Sequence, residues 1–531
     1  MLSKQLIFKQ GSVCWLLLAV ILLSFALRLY RLDWQSLWWD EVKTIERGSV
    51  ALPDMMVDLL AKRHHLPFYF VVMKIWLQIG QSAFIARTFS MFWGVISVAL
   101  IYQLGRRAFN RQVGLLVAFL LAINPFHIWY SQEARMYMLL MSTIIAAHLF
   151  LLCLLRQDIW FYWVGYMLTM LTAVYTHLFA LLIIVAHYIF FALHFRFLKP
   201  LFLKWLGYTA VVGALFAIWG VILLQTGGLK EATPPWIVGT SWSDLFLTLL
   251  AFSAGRTIDP AQAIYYLVPL VYLVGLLVII FNRKQIALPE RPVEPQQYQT
   301  FATRLLLIWL ITPLLLTFFV SFSWPGRMRQ VSLYTDRYLI IVLPALLVLA
   351  TQGLIQLGQK MPHFLLLALG AIILGTIPGL YNNYFQPQYG REGWQEAVDY
   401  LAANALDTDL IWSQNDHQVP LNYYLDEQGL QVKGIVAAPP VGTEAEFEAG
   451  MQERLAIMEA QAERVWLVTQ FYNNDIHGFP QFRNEAVQFT ETADPQYEWL
   501  KTHLVTVKDA TFVGIRLTLF DLSTLRPPLD S

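Results

Sequence analysis

The stretch VCWLLLAVILLSFALRLYRLDWQSLWWDE, residues 13–41, joins an apolar run to an acidic pair. The run from Val13 to Tyr30 has about the length that an α-helix needs to cross a bilayer. The pair Asp40–Glu41 follows after a short loop, next to Trp38 and Trp39. Carboxylates this close to hydrocarbon are costly to keep charged, and they are retained mostly where they serve a purpose. The stretch therefore predicts a membrane protein with an active site at the membrane surface.

The composition of the whole chain also predicts an integral membrane protein. Of the 531 residues, 57% are hydrophobic and 14% are charged, whereas soluble domains carry about 25% charged residues. The net charge of +1 argues against a nucleic-acid partner, which would favour a basic surface. Cys14 and Cys153 lie inside apolar runs, so we expect buried thiols and no disulfide framework.

Apolar runs predict about eleven membrane-spanning helices. The runs are residues 13–30, 84–105, 112–125, 136–155, 160–174, 177–194, 207–224, 264–282, 303–322, 338–356 and 363–380. Lys4 and Lys9 precede the first run and no small-residue cleavage site follows it, so it is interpreted as an uncleaved span. Lys and Arg gather in alternate loops, which predicts a cytoplasmic N-terminus. Residues 67–80 and 242–253 are apolar but short, and we interpret them as helices lying along the outer leaflet.

The composition changes after residue 380. A helical pattern over 393–404, strand patterns at 409–413, 464–469 and 513–520, and a Glu- and Ala-rich helix over about 443–462 predict an α/β domain. We therefore expect a transmembrane module over 1–380 and a soluble α/β domain over 381–531. The outer loops of the module are predicted at 31–83, 126–137, 225–262 and 323–337. An odd number of spans places the α/β domain on the extracytoplasmic side.

Three carboxylates in the predicted outer loops are candidate catalytic groups: Asp40, Glu41 and Glu133. Desolvation beside apolar walls makes a carboxylate more basic, so such a group can act as a general base toward an acceptor hydroxyl. Two simpler interpretations stay open. Asp40–Glu41 could face water beneath an aromatic belt, and Glu133 could simply neutralise Arg135.

Basic and aromatic side chains in the same loops are candidates for binding a phosphate or the substrate. Arginine suits phosphate because its donors form a planar fork, and arginines on the outer side of a membrane favour an anionic partner. Several candidates also have a simpler explanation than phosphate or substrate binding. Residues 62–67 could form a solvated basic turn, Arg337 could pair with Asp336, and His177 could have a structural role. No ligand set for a metal is completed near the paired histidines. The candidates are Arg63, His64, His65, Tyr130, Arg135, Tyr137, His177, Arg327, Arg337 and Tyr338.

Several motifs make the chain resemble the GT-C superfamily of polytopic glycosyltransferases. Within it, the chain is similar to the protein-mannosyltransferase and aminoarabinose-transferase type, glycosyltransferase family 39. The motifs cover about the first 200 residues. They are SLWWDE (36–41), HLPFY (65–69), ARTFS (86–90), YQLGRR (102–107), NPFHIWYSQEARMY (124–137) and, later in the chain, RY (337–338). Leu66 departs from the proline that the family usually has after the histidine.

The resemblance implies a polyprenyl-phosphate-linked sugar donor, transfer on the outer face of the membrane and inversion at the anomeric carbon. It implies that Asp40 is the base and that Glu133 takes the place of the second-loop acid. Arginine and lysine can offset the charge of the departing phosphate, and one carboxylate is enough to deprotonate the acceptor. We therefore predict no cofactor, with a divalent metal left open. The expected partners are the donor lipid, membrane lipids and a protein, lipid or glycan acceptor, and the expected location is the bacterial inner membrane.

Two other functions compete with this hypothesis. A polytopic transporter or lipid flippase also needs many spans, but it would favour charges near the membrane midplane and an inverted repeat. A membrane-anchored binding protein would use residues 381–531 as a receptor, and that leaves most of the spans unexplained.

Overall fold

The structure is a computed structural model that describes residues 10–61, 65–225, 240–282, 295–322, 333–413, 418–430, 434–437, 444–470 and 494–525. The chain divides into two compact units. The helical unit contains Met1–Leu32 and Arg47–Tyr384, and the second unit contains Asp33–Glu46 and most of the chain from Phe385 onward. The segment Asp33–Glu46, which the sequence assigns to an outer loop of the transmembrane module, thus clusters with the second unit.

The described part of the helical unit is built from α-helices. They are α1 (Gln10–Leu29), the end of α2 (Trp39–Ser49), α3 (Leu52–Ala61), α4 (Pro67–Trp76), α5 (Ala83–Ala108), α6 (Arg111–Ala122), α7 (Pro125–Ser131), α8 (Tyr137–Leu154), α9 (Trp160–Thr176), α10 (Ala180–Leu193), α11 (Phe195–Gln225), α12 (Trp242–Ala254), α13 (Leu267–Phe281), α14 (Pro295–Ser321), α15 (Asp336–Leu339), α16 (Leu343–Lys360) and α17 (Pro362–Phe385). Short 3-10 turns, Ala263–Tyr266 and Ile340–Val342, precede α13 and α16.

Within the described residues, eight segments are long and apolar enough to cross a membrane. They are Ser12–Leu29, Ala83–Ala108, Tyr137–Leu154, Phe195–Ile222, Ala263–Phe281, Gln297–Ser321, Asp336–Lys360 and Pro362–Phe385. The pair α6–α7, bent by 63°, makes nine if it counts as one span. The prediction of a polytopic helical membrane protein is therefore confirmed.

The predicted number of eleven spans is higher than the eight or nine that length and composition support. Each of the remaining predicted spans is a helix, but α9 has 17 residues and α10 has 14. They are separated at His177, whose extended backbone (φ −158°, ψ 138°) ends α9. The sequence already divides the apolar runs next to His177, at 160–174 and 177–194, and the structure places the break there.

Two sequence-based expectations about smaller features can also be compared with the structure. The short apolar segments form α4 and α12, each too short to span. Cys153 is buried as expected, but the prediction for Cys14 is wrong, because Cys14 is exposed. Its helix α1 is only 22% buried within the protein, so most of its surface faces outward, where lipid would lie.

The second unit contains a five-stranded mixed sheet in the order β2-β1-β3-β5-β4. β1 pairs in parallel with β2 and β3, whereas β5 pairs antiparallel with β3 and β4. The elements are the first part of α2, α18 (Trp394–Asn404), β1 (Leu410–Ser413), α19 (Gln418–Gln428), β2 (Gly434–Ala437), α20 (Glu444–Glu459), β3 (Arg464–Gln470), α21 (Pro495–His503), β4 (Leu504–Phe512) and β5 (Ile515–Leu525).

The core of the second unit lies between the sheet and its helices. Trp412 of β1, Leu467 of β3 and Phe520 of β5 pack with Met451 and Met458 of α20. The predicted mixture of strands and helices is confirmed. β2 and β4 were not predicted, because Gly434–Ala437 is short and the mostly exposed β4 lacks a continuous apolar run.

Candidate active site

The break between α6 and α7 positions the motif from Tyr130 to Tyr137. Asn124 lies at the break, and its side-chain oxygen accepts a hydrogen bond from the His127 N–H at 2.8 Å, which caps α7. Pro125 begins α7, where its fixed φ fits the helix and no N–H is required. Because α6 cannot continue through this sequence, the motif starts on a helix of a new direction.

Arg28, at the buried end of α1, contacts both helices at the break between α6 and α7. Its guanidinium donates to the carbonyl oxygens of Leu121 at 3.1 Å and Ala122 at 3.0 Å, the last residues of α6. It also lies 2.5 Å from Nδ1 of His127 in α7. The carbonyls at a helix C-terminus carry partial negative charge, so they stabilise a buried cation. One side chain of α1 therefore fixes the angle between α6 and α7.

Polar side chains also fix the turn between α7 and α8. The Gln132 amide donates to the carbonyl oxygen of Arg28 at 3.1 Å and accepts from the Asn383 amide at 3.2 Å. The Ser90 hydroxyl donates to the carbonyl oxygen of Arg135 at 3.0 Å. These bonds connect the turn to α1, α5 and α17, so the motif is held by three other helices.

An aromatic group forms around Tyr137, at the start of α8. The ring of Tyr137 lies 5.3 Å from Tyr130, 6.2 Å from Tyr338 and 6.5 Å from His177, measured between centroids. His177 and Phe179 lie 4.7 Å and 5.1 Å from Tyr338. The structure thus brings together four residues that the sequence predicts for the site, from three distant parts of the chain.

Charged side chains surround these rings. Arg256 donates a short hydrogen bond to the Tyr130 hydroxyl, and its Nε lies 3.5 Å from Asp336. The guanidinium of Arg337 lies over the ring of Tyr338 at 5.3 Å. Glu133 and Arg135 lie within electrostatic range of Tyr137. We refer to Arg135, Arg256 and Arg337 with Glu133 and Asp336 as the arginine cluster.

The arginine cluster has an excess of positive charge in a buried place. Its three guanidinium groups outnumber its two carboxylates, and Glu133, Arg135, Arg256 and Asp336 are all at least 90% buried. It sits where α8 and α15 begin, and helix N-termini favour anions. The spans that start there, Tyr137–Leu154 and Asp336–Lys360, are 83% and 89% buried within the protein. Chemically, the cluster suits an anion of one or two charges.

Arg256 is the site residue that the sequence analysis missed. It follows Gly255, whose φ of +98° turns the chain and whose added Cβ would lie 2.8 Å from Pro125. A left-handed glycine directly before an isolated arginine in an outer loop is the available signal. It is weak, because Arg256 and Tyr130 are 126 positions apart.

Asp40 and Glu41 lie in the first turn of α2, in the second unit. Asp40 is partly buried, and Glu41 is fully buried. Oε2 of Glu41 accepts from the Arg391 guanidinium at 2.9 Å. The two adjacent acids therefore have different surroundings, which their sequence did not distinguish.

Other predicted site residues are described only in part. His65 is buried just before α4, where its ring packs edge-on against Phe70 at 5.5 Å. Arg63, His64 and Arg327 lie outside the described residues. Among the residues that the structure describes, no group of three or more His, Cys, Asp or Glu side chains is placed to hold a metal. The need for a cofactor stays a prediction.

Comparisons with known proteins agree with this architecture. Residues 64–223 match the family model described as dolichyl-phosphate-mannose-protein mannosyltransferase. A search of curated protein sequences finds no match. The fold is similar to ArnT from Cupriavidus metallidurans bound to undecaprenyl phosphate, with a TM-score of 0.55 and 13% identity over 96% of this chain and 98% of that chain.

A second similar structure is the oligosaccharyltransferase of Archaeoglobus fulgidus in the apo form. Its TM-score is 0.53, with 14% identity over 88% of this chain and 70% of that chain. The archaeal oligosaccharyltransferase AglB from Archaeoglobus fulgidus, in complex with an inhibitory peptide and a dolichol-phosphate, gives a TM-score of 0.50 at 13% identity, over 87% of this chain and 70% of that chain.

These findings confirm the resemblance predicted from the sequence. Its fold is similar to those of ArnT and the archaeal oligosaccharyltransferase, residues 64–223 match the mannosyltransferase family model, and the chain is an integral membrane protein. The segment that matches the family model contains Glu133, Arg135, Tyr137 and His177. At 13–14% identity, the structural similarity is evidence of fold.

Proposed function

We propose that this protein is a membrane glycosyltransferase that moves a sugar from a polyprenyl-phosphate donor to an acceptor hydroxyl. The observation that carries the proposal is the arginine cluster beside Tyr130 and Tyr137. A phosphate that links a lipid to a sugar has about one negative charge, which matches the excess of one arginine over the carboxylates. The undecaprenyl phosphate of ArnT and the dolichol-phosphate of AglB support this donor class.

The arginines are proposed to bind the donor phosphate and to stabilise it as it leaves. When the bond between the anomeric carbon and the phosphate oxygen breaks, negative charge grows on the phosphate. Fixed cations in a site with little water stabilise that charge more strongly than water does. Arg256 is held by Tyr130 and Asp336 before the donor arrives, so it need not reorganise. The rings of Tyr137 and Tyr338 provide an apolar surface for the sugar or the lipid.

Asp40 is proposed to be the general base. Its carboxylate would take the proton of the acceptor hydroxyl while the acceptor oxygen attacks the anomeric carbon. The polyprenyl phosphate departs on the opposite face of the sugar, so the configuration at that carbon inverts. The resemblance described above, in which the first acid of the motif SLWWDE (36–41) is the base, supports Asp40 in this role. Glu133 is proposed to accept a hydrogen bond from a hydroxyl of the sugar or the acceptor.

The finer features of the reaction follow the same proposal. We place the transfer on the outer face of a bacterial inner membrane, with a protein, lipid or glycan as acceptor. The second unit would then be extracytoplasmic. The three arginines of the cluster, two of them buried, can supply the charge that a metal gives to diphosphate donors, so we propose that no divalent metal is needed.

The test is sugar transfer in membranes that contain the full chain, with a panel of radiolabelled polyprenyl-phosphate sugars. We expect transfer by the wild type and a loss of about 10²- to 10⁴-fold in Asp40→Asn, the range for general base catalysis. Arg256→Gln should raise the KM for donor by about 10- to 100-fold, because a hydrogen bond to a charged group is lost.

Arg304→Gln is the matched control, because Arg304 lies on α14 beside His194 and is not a member of the cluster. Its KM should equal that of the wild type. Wild-type protein that binds the donor and moves it across the membrane without transferring the sugar would contradict the proposal and favour a transporter. Full transfer activity in Asp40→Asn would show that Asp40 is not the general base.

A further inference from the structure

We propose that the second unit is a positioning scaffold for α2, the helix that carries Asp40, and that Arg391 and Tyr424 are its positioning residues. This inference rests on the proposed function, in which Asp40 is the general base. The segment Asp33–Glu46 precedes the sheet by more than 340 residues, yet it clusters with the sheet-containing unit. Every contact described below lies within that unit.

The first contact is an ion pair between Glu41 and Arg391. Nη1 of Arg391 donates to Oε2 of Glu41 at 2.9 Å, and the two side chains are 8% and 0% exposed. Removing one partner of a buried pair leaves an uncompensated charge, so such a pair holds its partners firmly. Since Glu41 follows Asp40 directly in the same helical turn, the pair fixes the rotation of α2 about its axis.

The second set of contacts holds the loop before α2. The Leu37 N–H donates to the Tyr424 hydroxyl of α19 at 2.6 Å. The Ser36 hydroxyl accepts from the Gln395 N–H at 3.0 Å and donates to Glu396 at 3.3 Å. These bonds fix the chain three to four residues before Asp40. Together with the ion pair, they hold α2 on both sides of the carboxylate.

The sheet in turn holds the segment that carries Arg391. The Gly393 N–H donates to the carbonyl oxygen of Val513, in the turn between β4 and β5, at 2.8 Å. The Gln470 amide at the end of β3 donates to Glu392 at 3.0 Å. Residues 391–393 therefore transmit the position of the sheet to Glu41. A rigid β-sheet is a better support for a reactive group than a loop is.

The consequence concerns the rate of the chemical step and leaves donor binding unaffected. A misplacement of about 1 Å at a reacting group lowers the rate by about 100-fold. The arginine cluster, which is proposed to bind the donor phosphate, contains neither Arg391 nor Glu41, so we expect donor affinity to be independent of Arg391. Loss of the scaffold contact should thus lower kcat and leave the KM and Kd for donor unchanged.

The experiment compares Arg391→Ala with wild type in the full-length protein, using the donor found active above. We expect a fall in kcat of about 100-fold with an unchanged Kd for donor, and partial recovery in Arg391→Lys, which keeps the charge. Arg464→Ala is the matched control. It breaks a comparable pair with the buried Asp409, 2.6 Å long, on β3. It should lower thermal stability while kcat stays at the wild-type level.

A second measurement does not depend on the enzymatic activity. Hydrogen exchange of peptides within residues 33–46 should be faster in Arg391→Ala than in wild type, and unchanged in Arg464→Ala. The Glu41→Gln/Arg391→Ala double variant should be no slower in transfer than either single variant, because both remove the same contact. If neither the wild type nor any variant transfers sugar, but hydrogen exchange of residues 33–46 is faster in Arg391→Ala, the proposed function fails. The role of the second unit in holding α2 is then still supported.

Three outcomes would overturn the inference. They are a wild-type kcat in Arg391→Ala, unchanged exchange of residues 33–46 in that variant, and an equal fall in kcat in Arg464→Ala. The last would mean that kcat follows the general stability of the second unit instead of the contact with Glu41.

Discussion

At the scale of single residues, neighbours in sequence can differ in burial and in contacts because of partners that are distant in sequence. Asp40 and Glu41 differ by one methylene group and one position, yet Glu41 is buried against Arg391, 350 positions away. Glu133, Arg135, Tyr137, His177, Arg337 and Tyr338 were predicted together from local motifs. The motifs could not predict Arg256, because its position depends on how α12 packs beside α7.

Glu392 gives a prediction for the dependence of stability on pH. Burial raises the pKa of its carboxyl above the ordinary value, although Arg391 and Gln470 oppose this effect. The folded state then binds the proton more tightly than the unfolded state, whose pKa is about 4.3. The contribution of Glu392 to stability is therefore full below that pH and is lost as pH rises through the folded pKa.

We expect Glu392→Gln to remove this loss, because glutamine keeps an oxygen for the Gln470 amide and has no proton to release. The thermal midpoint of the variant, compared with that of wild type, should rise as pH increases above about 4.3, the pKa of the unfolded carboxyl, and level off once pH exceeds the folded pKa. Glu453→Gln, an exposed site on α20, is the control for the loss of a negative charge. A difference that stays constant with pH would contradict the assignment.

At the scale of elements, α13 and α16 approach each other closely at two glycines. A Cβ at Gly353 would lie 1.8 Å from the carbonyl oxygen of Gly275, and a Cβ at Gly275 would lie 2.4 Å from that of Ala350. Small residues let membrane helices approach closely, where dispersion forces hold them together. α16 is the most enclosed helix of the bundle and continues from Arg337 and Tyr338, so this contact also supports the site.

Gly353→Ala should destabilise the protein by about 1–3 kcal/mol, the usual cost of overpacking, because the nearest atoms belong to backbone and cannot give way. Thermal unfolding in detergent measures the loss. Gly370→Ala in α17 is the matched control, since nothing lies within 4 Å of a Cβ at that position. Equal midpoints for the two variants would contradict the close approach.

The elements also explain which spans could be predicted. Apolar length located the long helices of the bundle, since burial and lipid contact both require it, but it did not locate the short helices α2, α3 and α7. The ends of these helices depend on polar residues and prolines inside the apolar runs, such as Asn124-Pro125 and His177. Asn124 caps α7, Arg28 donates to the last carbonyl oxygens of α6, and the extended backbone of His177 ends α9. An average of hydropathy over the run contains none of these features.

At the scale of the whole molecule, the charge distribution predicts the side of the membrane on which each part lies. Lys360 ends α16, and α17 then leads to the second unit. Because positive loops stay in the cytoplasm, Lys360 should be cytoplasmic and the second unit extracytoplasmic.

Labelling with a membrane-impermeant maleimide tests this topology in a variant whose Cys14 and Cys153 are replaced by serine. Glu427→Cys, exposed on α19, should react on intact cells. Lys360→Cys, also exposed, should react only after the membrane is permeabilised. Labelling of both positions on intact cells, or the reverse pattern, would contradict the predicted topology.

The dependence of α2 on the last third of the chain has a consequence for synthesis. Glu41 leaves the ribosome 350 residues before Arg391. At about 5–20 residues per second, the wait is roughly 20–70 s. During that time the N-terminal helices can insert into the membrane, while Arg391, the ion-pair partner of Glu41, has not yet been made. Under the proposed function, a nascent or truncated chain would thus bind the lipid-linked sugar without transferring it. Transfer activity would begin only after the final strands have been translated.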